Sequence, residues 1–243
     1  MTQRTLLGVL TPSSNTVLEP LTAEILHGVP DVSAHFGRLR VTEISLRDQA
    51  LSQFDNGPFL QAAHMLADAK VQSITWSGTS SGWRGFQDDI ELCDVIRRET
   101  GIEATTSVLA LNEIFEKTKV RNFALVTPYL DAVQEKIIAN YREAGFSCVA
   151  ERHLGDRGNF SFSEYDEQTI ADMVRAVAAE RKPDAITIFC TNLRGTRVAA
   201  ELEKELQIPI YDSIATGVWK GMKLAGADTR GIKGWGSLFS EVE

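Results

Sequence analysis

The residues best suited to chemistry sit in four short stretches. Cys190 ends the apolar run Ile186-Thr187-Ile188-Phe189 and is followed by Thr191, Asn192 and, further on, Gly195. A run rich in β-branched residues that stops at a thiol reads as a buried parallel strand delivering Cys190 to a ligand crevice. A thiol there can serve as nucleophile or proton donor. A structural core cysteine is the competing reading. Thr79, Ser80 and Ser81 place three hydroxyls beside backbone freed by Gly78 and Gly82. Hydroxyls and N–H groups converging at a helix start suit a carboxylate or enolate oxygen. The competing reading is a turn selected for its backbone angles. Tyr129, after Pro128, can give its phenol proton to the same oxyanion or simply lie at the surface. Asn15 can bind a substrate carboxylate or cap a helix. Thr191 and Asn192 carry the same two readings.

The remaining reactive side chains carry less. Cys93 lies in a helical pattern beside Leu92 and Ile96, which reads as core, and Cys148 lies in a short strand. The four histidines share no spacing, and His153 falls in a Gly-containing loop over 153–162 that is a candidate lid. No Walker motif and no G-x-G-x-x-G occurs, and no C-x-x-C or His-rich metal spacing. The expectation is chemistry without a cofactor or metal. A net charge of -8 with no basic stripe argues against nucleic acid as a partner. Three cysteines without a pairing pattern fit reduced thiols in a cytoplasmic protein. The N-terminus shows no signal-peptide pattern. No apolar stretch reaches the ~20 residues needed to cross a bilayer, so no membrane partner is expected. The oligomeric state is left open, with a homo-oligomer allowed.

These residues need elements to hold them. Apolar runs over 5–10, 32–41, 71–76, 122–126, 147–151, 186–189 and 208–211 read as strands. Helical spacing covers 17–27, 59–69, 88–98, 107–117, 132–144, 164–179, 196–206 and 214–224. Residues 42–57 read as irregular, with Asp55-Asn56-Gly57-Pro58 as a turn, and the tail from Gly226 to Glu243 as loosely packed. Strand–helix alternation predicts an α/β fold with parallel sheets. Thr11-Pro12 closes one strand and Thr127-Pro128 closes another 116 residues later, while Gly78 and Cys190 close strands 112 residues apart. The chain therefore reads as two pseudo-symmetric Rossmann-like lobes, 1–110 and 111–212, with 213–243 free to pack back on the first. The active site is expected in the cleft between them, its apolar lining drawn from 40–57 and 153–162.

With these residues in hand, the chain resembles the Asp/Glu/hydantoin racemase superfamily over almost its whole length. It looks most like the branch containing maleate cis-trans isomerases and arylmalonate decarboxylases. Thr11-Pro12-Ser13-Ser14-Asn15-Thr16 with Glu19 looks like the first loop of the isomerases, whose Asn contacts a substrate carboxylate. Gly78-Thr79-Ser80, followed by Arg84-Gly85, looks like the decarboxylase loop whose hydroxyls form a dioxyanion hole. Tyr129 matches a tyrosine used in both, and Cys190 matches the second-lobe catalytic cysteine. The chain also departs from the pattern. The racemases and isomerases carry one cysteine per lobe, and the first-lobe position here is Gly78, as in the decarboxylase. Thr191-Asn192 stand where the decarboxylase has glycines.

The resemblance implies a small carboxylate substrate and leads to three readings. The first is decarboxylation of a malonate-like acid, with the enediolate held by Thr79, Ser80 and Tyr129 and protonated by Cys190. The second is isomerisation or racemisation of a small dicarboxylate or amino acid, anchored also by Asn15, Thr191 and Asn192. The third is a carboxylate-binding protein in which Gly78 marks lost chemistry.

Overall fold

The structure, a computed structural model, describes residues 4–44, 46 and 56–243. Of the stretch expected to be irregular, residues 45 and 47–55 therefore lie outside the described residues. The chain starts with strand β1 (Thr5–Pro12), helix α1 (Leu18–Leu26), β2 (Val32–Leu39), α2 (Asn56–Asp68) and β3 (Ser73–Trp76). A one-turn helix α3 (Ser81–Arg84) follows, then α4 (Phe86–Thr100), β4 (Ala104–Thr106) and α5 (Ser107–Lys117). The second half repeats the theme with β5 (Asn122–Thr127), α6 (Asp131–Glu143), β6 (Ser147–His153) and α7 (Glu167–Glu180). It continues with β7 (Ala185–Ile188), α8 (Thr196–Leu206), β8 (Ile210–Asp212), α9 (Ser213–Leu224) and α10 (Leu238–Glu241).

The strands form two four-stranded parallel sheets, ordered β2-β1-β3-β4 and β6-β5-β7-β8. The α/β fold with two similar parallel sheets is thus as expected. The central strands are wholly buried, which is why they read as unbroken apolar runs. The repeat extends to single hydrogen bonds. Ser77 N–H donates to Leu10 O at 2.9 Å, and Phe189 N–H donates to Val126 O at 2.8 Å, at the same offsets the sequence shows. In each sheet the strand order reverses direction about the β1/β3 and β5/β7 pairs. Open α/β sheets bind ligands beyond the carboxyl ends of strands at such a switch point. The four loops that carry the chemical residues leave from those four strands.

Two expectations need correction. Gly57 and Pro58 stand in the first turn of α2 rather than in a turn before it. Proline is tolerated there because the first N–H groups of a helix have no intrahelical partner. The tail is packed, not loose. Leu238, Phe239 and Val242 are buried, and the Trp219 indole N–H donates to Val242 O at 3.2 Å. Glycines at 226, 231, 234 and 236 masked the apolar spacing between them. α5 runs unbroken through residues 107–117. α9 packs against α1, α5, β3 and β4.

Candidate active site

Gly78, Tyr129 and Cys190 each stand two residues beyond the end of their strand, β3, β5 and β7, while Pro12 closes β1. Their loops line a cavity that opens to solvent, with about 300 Å³ of space counted together with its mouth. Its polar lining is Thr79, Ser80, Tyr129, Asn159, Thr191 and Cys190. Pro12, Val41, Ile44, Trp76 and Trp83 form its apolar lining, with Gly78 between the two sets. No charged side chain lines it among the described residues. A carboxylate held here must be held by neutral donors.

The Thr79 and Tyr129 hydroxyls bond to each other at 2.6 Å, linking the β3 loop of one half to the β5 loop of the other. Two hydroxyls sharing one bond leave one O–H proton to aim at a ligand. Tyr129 is fully buried, wedged edge-on between Trp83 (ring centroids 5.2 Å apart) and Phe162 (5.6 Å). Burial drives its phenol pKa well above the usual value, so it stays a donor. The loop carrying Thr79 is pinned from both sides. Ser81 Oγ donates to Asp89 Oδ2 at 2.6 Å, and Asn140 Nδ2 of α6 donates to Gly82 O at 2.9 Å. Gly82 is required by space, because a Cβ there would lie 2.6 Å from the Phe189 ring.

Cys190 is buried at 3% exposure. Burial pushes its thiol pKa up to about 12, offset in part by hydrogen bonding from the Asn192 N–H. The Asn192 N–H lies 3.4 Å from Sγ. The result is a thiol that keeps its proton at neutral pH and faces a cavity with a donor pair.

Asn15 and Asn192 do not line the cavity; they hold its walls. Asn15 Oδ1 accepts from the N–H groups of Val17 (3.0 Å) and Leu18 (2.9 Å) at the head of α1. Its Nδ2 donates across the cleft to Thr191 O (3.0 Å) and Oγ1 (3.1 Å). Thr191 Oγ1 in turn donates to Ser77 O at 3.1 Å. Asn192 Oδ1 accepts from Thr16 N–H at 3.0 Å, and its Nδ2 donates to Asn159 O at 2.5 Å. The Asn15 side chain thus caps the helix start and bridges the halves at once.

The cavity mouth is crossed by two segments. Glu43 and Gly158 form an antiparallel bridge, Ile44 N–H donates to Arg157 O at 3.2 Å, and Asn159 Nδ2 donates to Val41 O at 3.2 Å. Val41, Ile44 and Asn159 come from the two stretches expected to supply lining. His153 is set apart, held between Glu151 Oε2 (2.8 Å) and Asp131 Oδ1 (2.9 Å). Sequence reasoning passed over Trp76 and Trp83. Their signal was two large aromatics bracketing a loop of Gly, Ser and Thr. The same loop has the spacing Gly78-x-Ser80-x-Gly82 of a nucleophile elbow. Ser80 takes ordinary helical angles (φ −59°, ψ −34°) and no histidine lines the cavity among the described residues, so the geometry gives that motif no triad there.

Comparison with known proteins now bears on this arrangement. The family model described as arylmalonate decarboxylase matches residues 40–239. An arylmalonate decarboxylase from Bordetella bronchiseptica is 29% identical over 97% of this chain and 96% of its own length. A solved arylmalonate decarboxylase, doubly substituted at a glycine and a cysteine and in liganded form, superposes with a TM-score of 0.85 at 26% identity, covering 98% of this chain and 99% of its own. A maleate cis-trans isomerase variant from Nocardia farcinica, carrying a covalently bound succinylcysteine intermediate, superposes with a TM-score of 0.88 at 20% identity over 99% of both chains. The chain belongs to the arylmalonate decarboxylase family, within the Asp/Glu racemase superfamily, and is an enzyme of the decarboxylase or isomerase kind.

Proposed function

We propose that the protein decarboxylates a malonate-like acid bearing an apolar substituent, and that Cys190 delivers the proton. The observation that carries this reading is the lining of the cavity: neutral donors, an apolar wall and one protonated thiol. One substrate carboxylate accepts from Ser80 and the Thr79–Tyr129 pair. The other lies against Trp76, Trp83, Val41 and Ile44, where an ion is poorly solvated. Cleavage of its C–C bond releases neutral CO₂ and leaves the electron pair on the α-carbon, delocalised as an enediolate. The hydroxyl donors stabilise that charge, each worth about 3 kcal/mol. Cys190 Sγ–H protonates the α-carbon, and water returns a proton to the thiolate. A thiol that resists ionisation suits this role, since it must hold its proton until the carbanion forms. Asn15 and Asn192 act as positioning residues that set Thr191 and the sulfur.

A second reading is supported by a different observation. Thr191 and Asn159 add polar groups to the cavity, and the maleate isomerase neighbour holds its intermediate on cysteine. By that reading the Cys190 thiolate adds to an alkene carbon and allows rotation. The burial that suppresses the thiolate counts against it.

Proton NMR in D₂O decides between them. Phenylmalonate and methylphenylmalonate are expected to lose one carboxyl group and gain one deuteron, with Cys190→Ala abolishing turnover. Conversion of maleate to fumarate with no malonate turnover would reject decarboxylation in favour of isomerisation.

A further inference from the structure

Trp76 ends β3, is fully buried and lines the cavity. Its ring meets Phe59 edge-on, with centroids 4.8 Å apart and planes at 84°. A Cβ built on Gly78 would lie 2.2, 2.4 and 2.9 Å from three atoms of that indole. Real carbon atoms do not approach so closely, and a ring wedged on Phe59 has no flexible end to swing away. In the other half the residues at the matching offset are Ile188 and Cys190. The pairs thus divide their volume in opposite ways. One half has a moderate residue at the strand end and a thiol in the loop. The other has the largest side chain at the strand end and none in the loop.

We propose that Trp76 takes the place of a first-half side chain and so makes the site one-sided. The indole covers the cavity wall from which a second acid or base would act, and it carries no proton that exchanges with carbon. Protonation then comes from the Cys190 side alone, and the α-carbon of a bound product is never reached from both faces. Trp76, not only the absence of a cysteine at 78, determines the stereochemical outcome. The stereochemical part rests on the decarboxylation reading, whereas the occupancy part rests on packing alone.

The test is a double-mutant cycle of Trp76→Ile and Gly78→Cys, with two readouts. The first is thermal unfolding. Gly78→Cys alone is expected to lower Tm by about 5–10 °C, as overpacking of a buried site does. Added to Trp76→Ile, it is expected to cost less than about 2 °C. Failure of the single variant to fold while the pair folds is the same result in stronger form. The second readout is α-proton exchange and racemisation of an enantiopure 2-arylpropionate in D₂O. The pair is expected to racemise at least tenfold faster than either single variant. A Gly78→Cys variant that keeps the wild-type Tm and racemises as fast as the pair would overturn the proposal. Coupling in Tm with no racemisation by the pair, while the wild type turns over phenylmalonate, would uphold Trp76's occupancy and reject its stereochemical role; a wild type that leaves phenylmalonate intact would reject the decarboxylation reading instead.

Discussion

Cys190 and Asp212 are buried neighbours whose protons are governed by the same lack of water. Asp212 ends β8, with Oδ1 accepting from Thr196 Oγ1 (2.8 Å) and from the N–H groups of Ile214 (2.9 Å) and Ala215 (3.3 Å). Its Oδ2 has no hydrogen-bond partner among the described residues. Burial raises its pKa to about 7 despite those three donors, and its charge in turn helps keep Cys190 protonated. The sign for stability follows. The folded state holds the Asp212 proton up to about pH 7, while the unfolded chain releases it near pH 4. Folding stability therefore falls as pH rises through that window. Asp212→Asn keeps an acceptor for the three donors and removes the titration. Its Tm relative to wild type is expected to rise between pH 4.5 and 8, by thermal unfolding at several pH values. A difference in Tm that stays constant with pH would mean that Asp212 is charged throughout.

At the scale of elements, Asp89 shows why α4 matters to a loop it does not belong to. Its carboxylate accepts from Ser81 Oγ of the β3 loop and from Thr106 Oγ1, while Thr106 caps α5 through Leu109 N–H. One buried acid thus fixes the loop after β3 against two helices, and burial raises its pKa to about 6. Asp89→Asn preserves two acceptor positions and is expected to cost less than about 1 kcal/mol. Asp89→Leu leaves two buried hydroxyls unpaired, costing about 2–4 kcal/mol, and is expected to lower kcat with the loop displaced. Chemical denaturation and steady-state kinetics on both variants check this; equal losses would assign Asp89 to packing alone. In sequence nothing sets Asp89 apart from its neighbours Asp88 and Glu91. The strands, the polar loops and Cys190 were legible because buried parallel strands and Gly-rich loops have local signatures. What stayed hidden was long-range. Asn15 bonding to Thr191, Trp76 filling the space at Gly78, and the tail folding onto Trp219 join residues with no shared local pattern. The Asn56-Gly57-Pro58 signal misled for another reason: the same residues serve a turn and a helix start.

At the scale of the whole molecule, the two halves are tied through the residues that surround the cavity. Asn15 to Thr191, Thr16 to Asn192, Thr79 to Tyr129 and Asn159 to Val41 all cross the cleft. Cavity shape and interlobe closure are therefore one property. Asn15 allows the two contributions to be separated. Asn15→Ser keeps a side-chain acceptor for the head of α1, yet is too short to reach Thr191. Asn15→Ala removes both contacts, at a cost of about 0.5–2 kcal/mol for the lost cap. If Asn15 positions the far wall, both variants are expected to lose roughly tenfold in kcat, while only Asn15→Ala loses much Tm. By the decarboxylation reading the loss falls on kcat, because a wall displaced by even a fraction of an ångström misaligns the thiol with the carbanion while leaving carboxylate binding intact. Hydrogen–deuterium exchange should rise at residues 190–193 in both variants, reporting the broken bridge directly. A rise in KM at unchanged kcat and unchanged exchange would instead return Asn15 to direct contact with the substrate carboxylate. In that case the bridge seen here would have to open when substrate enters, and the cleft would be a hinge rather than a clamp.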